Sequence, residues 1–173
     1  MFLAGVIPGP NEPPLDCINP YLTPLLDELL ELWDPGVYYS RTHCHRQGRR
    51  VRVALVALVC DLPAARKTAG FASYTHKIFC SMCHCHKDRE GFVGEAPCRW
   101  KRRTNEEVRE DASEFARASN IHEREALFKA NGVRWSELSR LPYFDLARFV
   151  VPDAMHNLFL GLIQTHCTTI LGI

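Results

Sequence analysis

Residues 51–63 read VRVALVALVCDLP, and they contain the clearest strand signal in the chain. Residues 54–60 are apolar without interruption, which is typical of a central strand covered on both faces of an α/β sheet. Asp61 follows directly, and ligands of open α/β sheets bind at the carboxyl ends of strands. An Asp after a strand also commonly serves as a turn or capping residue. The sequence therefore predicts an α/β fold and leaves two interpretations for Asp61.

The composition is that of an ordinary globular protein. The chain has 173 residues, of which 46% are apolar and 24% charged. No apolar run approaches the roughly 20 residues that a membrane-spanning helix needs. Lys and Arg number 21 against 20 Asp and Glu, so the net charge is +1 and any nucleic-acid surface must be a local patch. These values exclude fibrous and membrane-spanning classes.

Apolar patterns predict further elements on both sides of this strand. Residues 1–7 and residues 71–79 read as short strands, the first of them buried. A helix is expected after Asn19 as its cap, with Pro20 at its first position. The composition then shifts near residue 80 from strand-rich to helix-rich sequence.

The second half of the chain is expected to be mainly helical. Thr104 with Glu107, and Asn120 with Glu123, have the spacing of capping boxes, so residues 104–141 predict two or three short helices. A last helix is expected from near Pro152, with an apolar stripe that includes Met155, Leu158, Phe159, Leu162 and Ile163.

A basic loop is expected between the first helix and the central strand. Such runs are usually solvated, and contact with nucleic acid is the alternative interpretation. The residues concerned are Arg41, His43, Cys44, His45, Arg46, Arg49 and Arg50.

Eight cysteines and eight histidines point to metal or thiol chemistry. The N-terminus lacks the features of a secretory signal, so we expect an intracellular chain, in which paired cysteines are more often metal ligands or redox thiols than disulfides. Cys80 and Cys83 have the C-x-x-C spacing with which two thiolates hold one tetrahedral Zn²⁺. The alternative role, that of a thiol oxidoreductase, is disfavoured because the sequence around this motif lacks a βαβ pattern.

A C-x-x-C pair is only half of a zinc site. The distant candidates for the other half are Asp153 and His156, which at i and i+3 lie on one face of a helix. The alternative to a zinc site is that the cysteines are ordinary reduced thiols and that His156 is a core histidine. The candidates near the pair are His84, Cys85, His86 and Cys98.

The residues around Asp61 resemble a known family. Cys60-Asp61-Leu62-Pro63-Ala64-Ala65-Arg66-Lys67 looks like the catalytic-domain transposases of CACTA (En/Spm-like) DNA transposons, especially those of fungi. The resemblance continues in the same order through residues 3–10, 25–30, Cys80-x-x-Cys83, 132–138 and 153–161. Because these segments are collinear over nearly the whole chain, they are more specific than any single motif.

The resemblance implies an RNase H-like fold, in which a central mixed sheet carries three acidic residues. Asp61 matches the second acid. Residues 1–79 would form part of an incomplete RNase H-like core, and residues 80–173 a mainly helical insertion, or the two would be one continuous domain. The insertion would contain structural Zn²⁺ on Cys80, Cys83, Asp153 and His156. The three acids would hold Mg²⁺ or Mn²⁺ for displacement at a DNA phosphodiester.

The same resemblance implies the partners. DNA would be bound as transposon ends and target, a homo-oligomer is a further expectation, and the intact protein would be nuclear. Candidate phosphate contacts are Arg66, Lys67, Arg99, Lys101, Arg102 and Arg103.

The chain also departs from the family pattern. The first acid would precede Met1 and the third would follow Ile173, so we expect no DNA cleavage by this chain alone. A core without its first strands is expected to expose apolar edges and to self-associate. The rival hypothesis is a non-catalytic intracellular zinc-binding interaction module in which Asp61 is structural.

Overall fold

The computed structural model describes residues 3–10, 13–14, 17–88 and 100–172. They form two compact units, Met1–Val56 with Glu137–Phe144 and Ala57–Ser136 with Asp145–Ile173, called here the first and second units. The boundary expected near residue 80 does not coincide with this division.

In chain order the elements are α1 (Asn19–Trp33), β1 (Val37–Tyr39), β2 (Arg49–Val51), β3 (Leu58–Cys60), α2 (Leu62–Ala69), α3 (Asn105–Arg117), α4 (Ile121–Asn131) and β4 (Val150–Pro152). A 3-10 turn, Glu137–Arg140, follows α4, and two π-helical segments, Met155–Ile163 and His166–Leu171, follow β4.

The first unit is built on α1. Leu26 on this helix is fully buried, and the Trp33 ring packs against Tyr143 with centroids 4.3 Å apart. Pro20 lies in the first turn, as predicted, but Asn19 does not cap the helix. Its side-chain oxygen instead accepts a hydrogen bond from the backbone amide of Glu137 at 3.1 Å. The polar side chain expected to start the helix therefore joins α1 to the 3-10 turn.

The second unit contains a parallel pair of strands, β3 and β4. The predicted strand over residues 54–60 is reduced to three residues, and the expectation of cover on both faces is wrong in the described part of the chain. Val59 on β3 is 60% exposed, and Val151 on β4 is 41% exposed. The reason is that β3 pairs with no described strand other than β4, so the sheet is too narrow to be enclosed.

The two helices predicted from capping signals are present in the second unit. Thr104 and Glu107 form a complete capping box at α3, as predicted. Asn120 caps α4 by accepting from the amide of Glu123 at 2.9 Å, whereas the Glu123 carboxylate accepts from the amide of Ser119. The fully or nearly fully buried core around these helices includes Cys85, Val108, Ala112, Val133 and Leu146.

Two predicted strands are not formed by the described residues, which do not include Met1 and Phe2. Residues 3–9 have no regular structure, and their apolar side chains are exposed. In the segment 71–79 only Phe71 forms a bridge, with Val133. Beyond it the Ser73 and Thr75 hydroxyls bond each other at 2.6 Å and the chain turns, because such side chains compete with strand pairing.

The last helix begins after the short strand β4, which the sequence did not predict. The five apolar side chains named in its predicted stripe are all exposed. No helix among the described residues is long and apolar enough to cross a membrane.

The capping carboxylate of α3 generates a prediction about acid stability. Lys101, His84 and the amide of Thr104 lower the pKa of Glu107 to about 2. A lowered pKa in the folded state stabilises the fold above the ordinary glutamate pKa of about 4.3, and this contribution is lost as the pH falls towards 2. Glu107→Gln should therefore lose less stability over this pH range than the wild type, as measured by urea unfolding followed by circular dichroism. Glu106→Gln, exposed in the same turn, should keep the wild-type dependence; a Glu107→Gln curve parallel to the wild type contradicts the prediction.

The cap of α2 generates a second prediction. Asp61 Oδ1 accepts from the amide of Ala64 at 2.7 Å. Asn accepts the same bond and Ala does not, so Asp61→Ala should lose about 1 kcal/mol of unfolding free energy and Asp61→Asn only a few tenths. Urea unfolding of the two variants measures the difference. Equal losses would show that the negative charge, and not the cap, stabilises α2.

Candidate functional site

The parallel pairing brings two carboxylates to one edge of the sheet. Cys60 at the end of β3 is in register with Pro152 at the end of β4, and Asp61 and Asp153 are the next residues along each strand. The amide of Asp153 donates to the carbonyl oxygen of Cys60 at 2.7 Å. Neighbouring strands lie about 4.8 Å apart, so the backbones of the two acids are adjacent. We call Asp61 and Asp153 the carboxylate edge.

Both acids accept a hydrogen bond from the first turn of the helix that follows them. Asp61 Oδ1 is bound to the amide of Ala64, so the capping interpretation of this residue is confirmed. Asp153 Oδ1 accepts from the amide of His156 at 2.9 Å, and Asp153 Oδ2 lies 2.7 Å from His156 Nδ1. Asp61 Oδ2 has no hydrogen bond within the described residues. The caps therefore orient both side chains and leave one oxygen of Asp61 available.

The charges of the carboxylate edge affect the pKa of one nearby thiol, that of Cys60. Burial raises the pKa of Cys60, and the negative charges of Asp61 and Asp153 raise it further. The backbone amide of His156, followed by its side chain, lowers the pKa of Asp153 despite the opposing effect of desolvation. The edge thus combines two like charges, an arrangement that attracts cations.

The donor set of the carboxylate edge fits part of a site for a hard divalent cation. Mg²⁺ and Mn²⁺ prefer carboxylate, carbonyl and water oxygens. Asp61 and Asp153 would supply two such ligands, each directly after its strand. Over residues 3–88 and 100–172, where described, no group of three or more His, Cys, Asp or Glu side chains is arranged to hold a metal.

The predicted zinc ligands form two pairs in the described structure. Cys83 is buried, and burial followed by its hydrogen bond with Cys80 raises the pKa of Cys83 to about 12. Asp153 and His156 contact each other at the carboxylate edge. The two thiols therefore lie together, and no third or fourth metal ligand is assembled with them among the described side chains.

The nearby zinc candidates have other environments. His84 Nε2 lies 3.1 Å from Glu107 Oε2, and Cys85 is fully buried. Cys98 lies outside the described residues. The C-x-x-C loop itself is held by a bridge between Cys83 and Arg102, and with Met82 and Trp100 these residues line a cleft of about 180 Å³ that also includes Cys80.

Arg103 is a packing residue and not a surface cation. Its side chain is 5% exposed, and its guanidinium donates to the carbonyl oxygens of Asn131 at 2.9 Å and Cys83 at 3.4 Å. Burial lowers its pKa. The expected contact of Arg103 with DNA therefore has no support here, because the group is committed to joining the C-x-x-C loop to the end of α4.

The other predicted phosphate contacts differ in exposure. Arg66 is half-buried, burial lowers its pKa, and its Nε has no hydrogen-bond partner in the described structure. Lys67 is also partly exposed, Lys101 is exposed and paired with Glu107, and Arg102 is exposed beside the cleft. Arg99 lies outside the described residues.

The sequence missed one feature of this site, the adjacency of Asp153 and Asp61. The signal was present in the apolar pair Val150-Val151, which Pro152 separates from Asp153 and which repeats the apolar run before Asp61 on a smaller scale. Three residues with a proline at the end are too short to predict a strand on their own.

The comparisons with known proteins give one match. The model of the family described as transposase family tnp2 matches residues 1–113, a range that includes β3, Asp61, α2 and the C-x-x-C loop. No curated protein and no solved structure matches the chain. Membership of a transposase family implies DNA as the partner in general. Because the match covers more than half of its residues, the chain belongs to transposase family tnp2.

Proposed function

We propose that this chain supplies part of the catalytic region of a DNA transposase of the CACTA type found in fungi. The reaction class is metal-dependent cleavage and transfer of DNA strands, carried by an RNase H-like core with a mainly helical insertion. The observation that carries this proposal is the carboxylate edge, where Asp61 and Asp153 follow adjacent parallel strands. Family membership supports transposition, and the edge supports the choice of a divalent cation.

In this proposal both acids of the edge would hold Mg²⁺ or Mn²⁺. Such a cation supplies charge stabilisation for an in-line displacement at a DNA phosphodiester. Asp61 presents Oδ2 while the amide of Ala64 fixes Oδ1. Asp153 is oriented by both the amide and the ring of His156. A positioned partner of this kind sets the orientation of a metal-binding carboxylate.

The proposal changes the role expected for Asp153. As a zinc ligand it would have to lie with Cys80 and Cys83, whereas its described contacts are with Cys60 and His156. We therefore assign Asp153 to the carboxylate edge and retain structural Zn²⁺ on Cys80 and Cys83 as a proposal for the C-x-x-C loop alone. Two carboxylates are one fewer than the three acids that the family resemblance implies, so we further propose that this chain does not cleave DNA by itself.

Binding of Mn²⁺ tests the carboxylate edge directly. Asp61→Asn keeps the cap of α2 and removes one charge, and Asp153→Asn removes the other. Each variant should bind Mn²⁺ at least about tenfold more weakly than the wild type, because loss of a ligand costs at least as much as loss of its supporting shell. Electron paramagnetic resonance of free Mn²⁺ measures the affinity.

The control for this experiment is Glu125→Gln, which removes an exposed carboxylate from α4. It should bind Mn²⁺ as the wild type does. Wild-type affinity in Asp61→Asn would overturn the assignment of the edge. Nicking of supercoiled plasmid by the wild-type chain, abolished in Asp61→Asn, would confirm the edge and overturn the proposed inactivity.

Zinc content tests the revised role of His156. Cys80→Ser and Cys83→Ser should each release zinc, because a pair of thiolates is the only zinc-binding half-site in this proposal. His156→Ala should retain it, since its ring contacts Asp153. Metal analysis after dialysis gives the stoichiometry. Release of zinc from His156→Ala would restore the four-ligand set of Cys80, Cys83, Asp153 and His156.

A further inference from the structure

We propose that the hairpin formed by β1 and β2, residues 37–52, docks on the phosphate backbone of duplex DNA. The choice of DNA rests on the proposed function. The new element is the surface, which lies in the first unit and contains none of the phosphate contacts that the family resemblance implied. We call it the cationic hairpin.

The cationic hairpin concentrates positive charge that the net charge of the whole chain conceals. Residues 37–52 contain five arginines and no Asp or Glu, although the chain carries a net charge of only +1. The rest of the chain therefore has an excess of acidic residues. The five arginines, all exposed, are Arg41, Arg46, Arg49, Arg50 and Arg52.

Most of this charge is not neutralised within the described protein. Arg52 pairs with Asp34 at 2.9 Å, and that is the one ion pair to a carboxylate found for these arginines among the described residues. Arg50 donates to the carbonyl oxygen of Pro35. Arg41 and Arg46 have no hydrogen bond or ion pair in the described structure. Unpaired guanidinium groups are the ones that gain most from a phosphate, with which they form two parallel hydrogen bonds.

The strand pairing presents tyrosine and arginine on both faces of the hairpin. Tyr38 lies opposite Arg50, and Tyr39 lies opposite Arg49. Opposite residues share a face and successive residues alternate, so each face carries one such pair. Both strands are exposed along their whole length, with Tyr38 57% exposed. These side chains therefore do not serve a core, which is the usual role of tyrosine in a strand.

The shape of the cationic hairpin suits a duplex. The major groove of B-DNA is about 12 Å wide and admits a two-stranded β-ribbon. An antiparallel pair that is free on both faces can enter it with arginines directed to either strand of the DNA. The Tyr38 hydroxyl already donates to the carbonyl oxygen of Gln47 at 2.8 Å, so the arginines and the Tyr39 hydroxyl are the donors offered to phosphate oxygens.

The loop of the hairpin is folded by its own hydrogen bonds. The amide of Thr42 donates to the carbonyl oxygen of His45, and the amide of His45 donates to Thr42 Oγ1, both at 3.0 Å. Arg49 Nη1 lies 2.7 Å from His45 Nε2. Gly48 has φ of +85°, and a Cβ there would lie 2.7 Å from the Tyr39 carbonyl oxygen. A loop organised in this way loses less conformational entropy when it binds.

Two matched double variants test the cationic hairpin. The first is Arg41→Gln with Arg46→Gln, which removes two unpaired charges from the loop. The second is Arg124→Gln with Lys129→Gln, which removes two exposed charges from α4 and changes the net charge equally. Fluorescence anisotropy with a short mixed-sequence DNA duplex, titrated at several salt concentrations, gives Kd and its salt dependence.

The hairpin variant should bind the duplex about tenfold or more weakly at low salt, and the slope of log K against log salt should fall by about 1 for each arginine. The α4 variant should stay within about twofold of the wild type, because its charges lie outside the hairpin. Wild-type binding by the hairpin variant, or an equal loss in the α4 variant, would overturn the proposal. A hairpin-dependent affinity for single-stranded RNA or for anionic lipid vesicles that exceeds the affinity for the duplex would overturn it as well.

The Mn²⁺ experiment separates this proposal from the proposed function. The hairpin variant should bind Mn²⁺ as the wild type does, because Asp61 and Asp153 are unchanged. A chain that binds DNA through the hairpin and fails to bind Mn²⁺ at the carboxylate edge would sustain the cationic hairpin and refute the edge. The reverse result would refute the cationic hairpin alone.

Discussion

The parallel pairing of β3 with β4 is the interaction on which the candidate site depends. It rests on few hydrogen bonds, among them those from the amide of Leu58 to Phe149 and from the amide of Asp153 to Cys60. Without this pairing nothing would bring Asp61 and Asp153 together, because the two residues are far apart in the sequence. With it the two carboxylates share an edge, and the helices that they cap leave from that edge. Because the pairing of β3 with β4 involves few hydrogen bonds, other parts of the second unit must hold the two strands in place.

The support comes from the segment that follows α4. Ser136 Oγ donates to the carbonyl oxygen of Thr68 at 2.6 Å, and the amide of Arg134 donates to that of Gly70 at 2.8 Å. Gly70 ends α2 with φ of +83°, where a Cβ would clash with the Arg134 carbonyl oxygen. The close approach fixes the end of the helix whose start is Asp61. The edge is therefore held from the helical core, whose buried side chains supply the stability that a two-stranded sheet lacks.

The sequence predicted interactions between residues that are close together in the chain, and it missed the pairing of segments that are far apart. The capping box of Thr104 and Glu107 and the capping interpretation of Asp61 rest on neighbours within four residues, and both caps are present. The strand β4 is three residues long, so its pairing with β3 leaves almost no trace in the pattern around Val150. The D-x-x-H spacing correctly placed Asp153 beside His156, but spacing on a helix does not reveal which distant element that helix meets. For the same reason the set of four zinc ligands stays a prediction.

The placement of charge links the two proposals. Carboxylates that hold a catalytic cation repel the phosphates on which that cation must act, so a nuclease edge is by itself a poor site for DNA before the metal binds. The affinity for DNA must then come from cations located elsewhere in the chain. The five arginines of residues 37–52 meet this requirement, since no Asp or Glu accompanies them in that segment. The net charge of +1 therefore combines the positive hairpin with a remainder of the chain in which acidic residues outnumber basic ones, Asp61 and Asp153 among them.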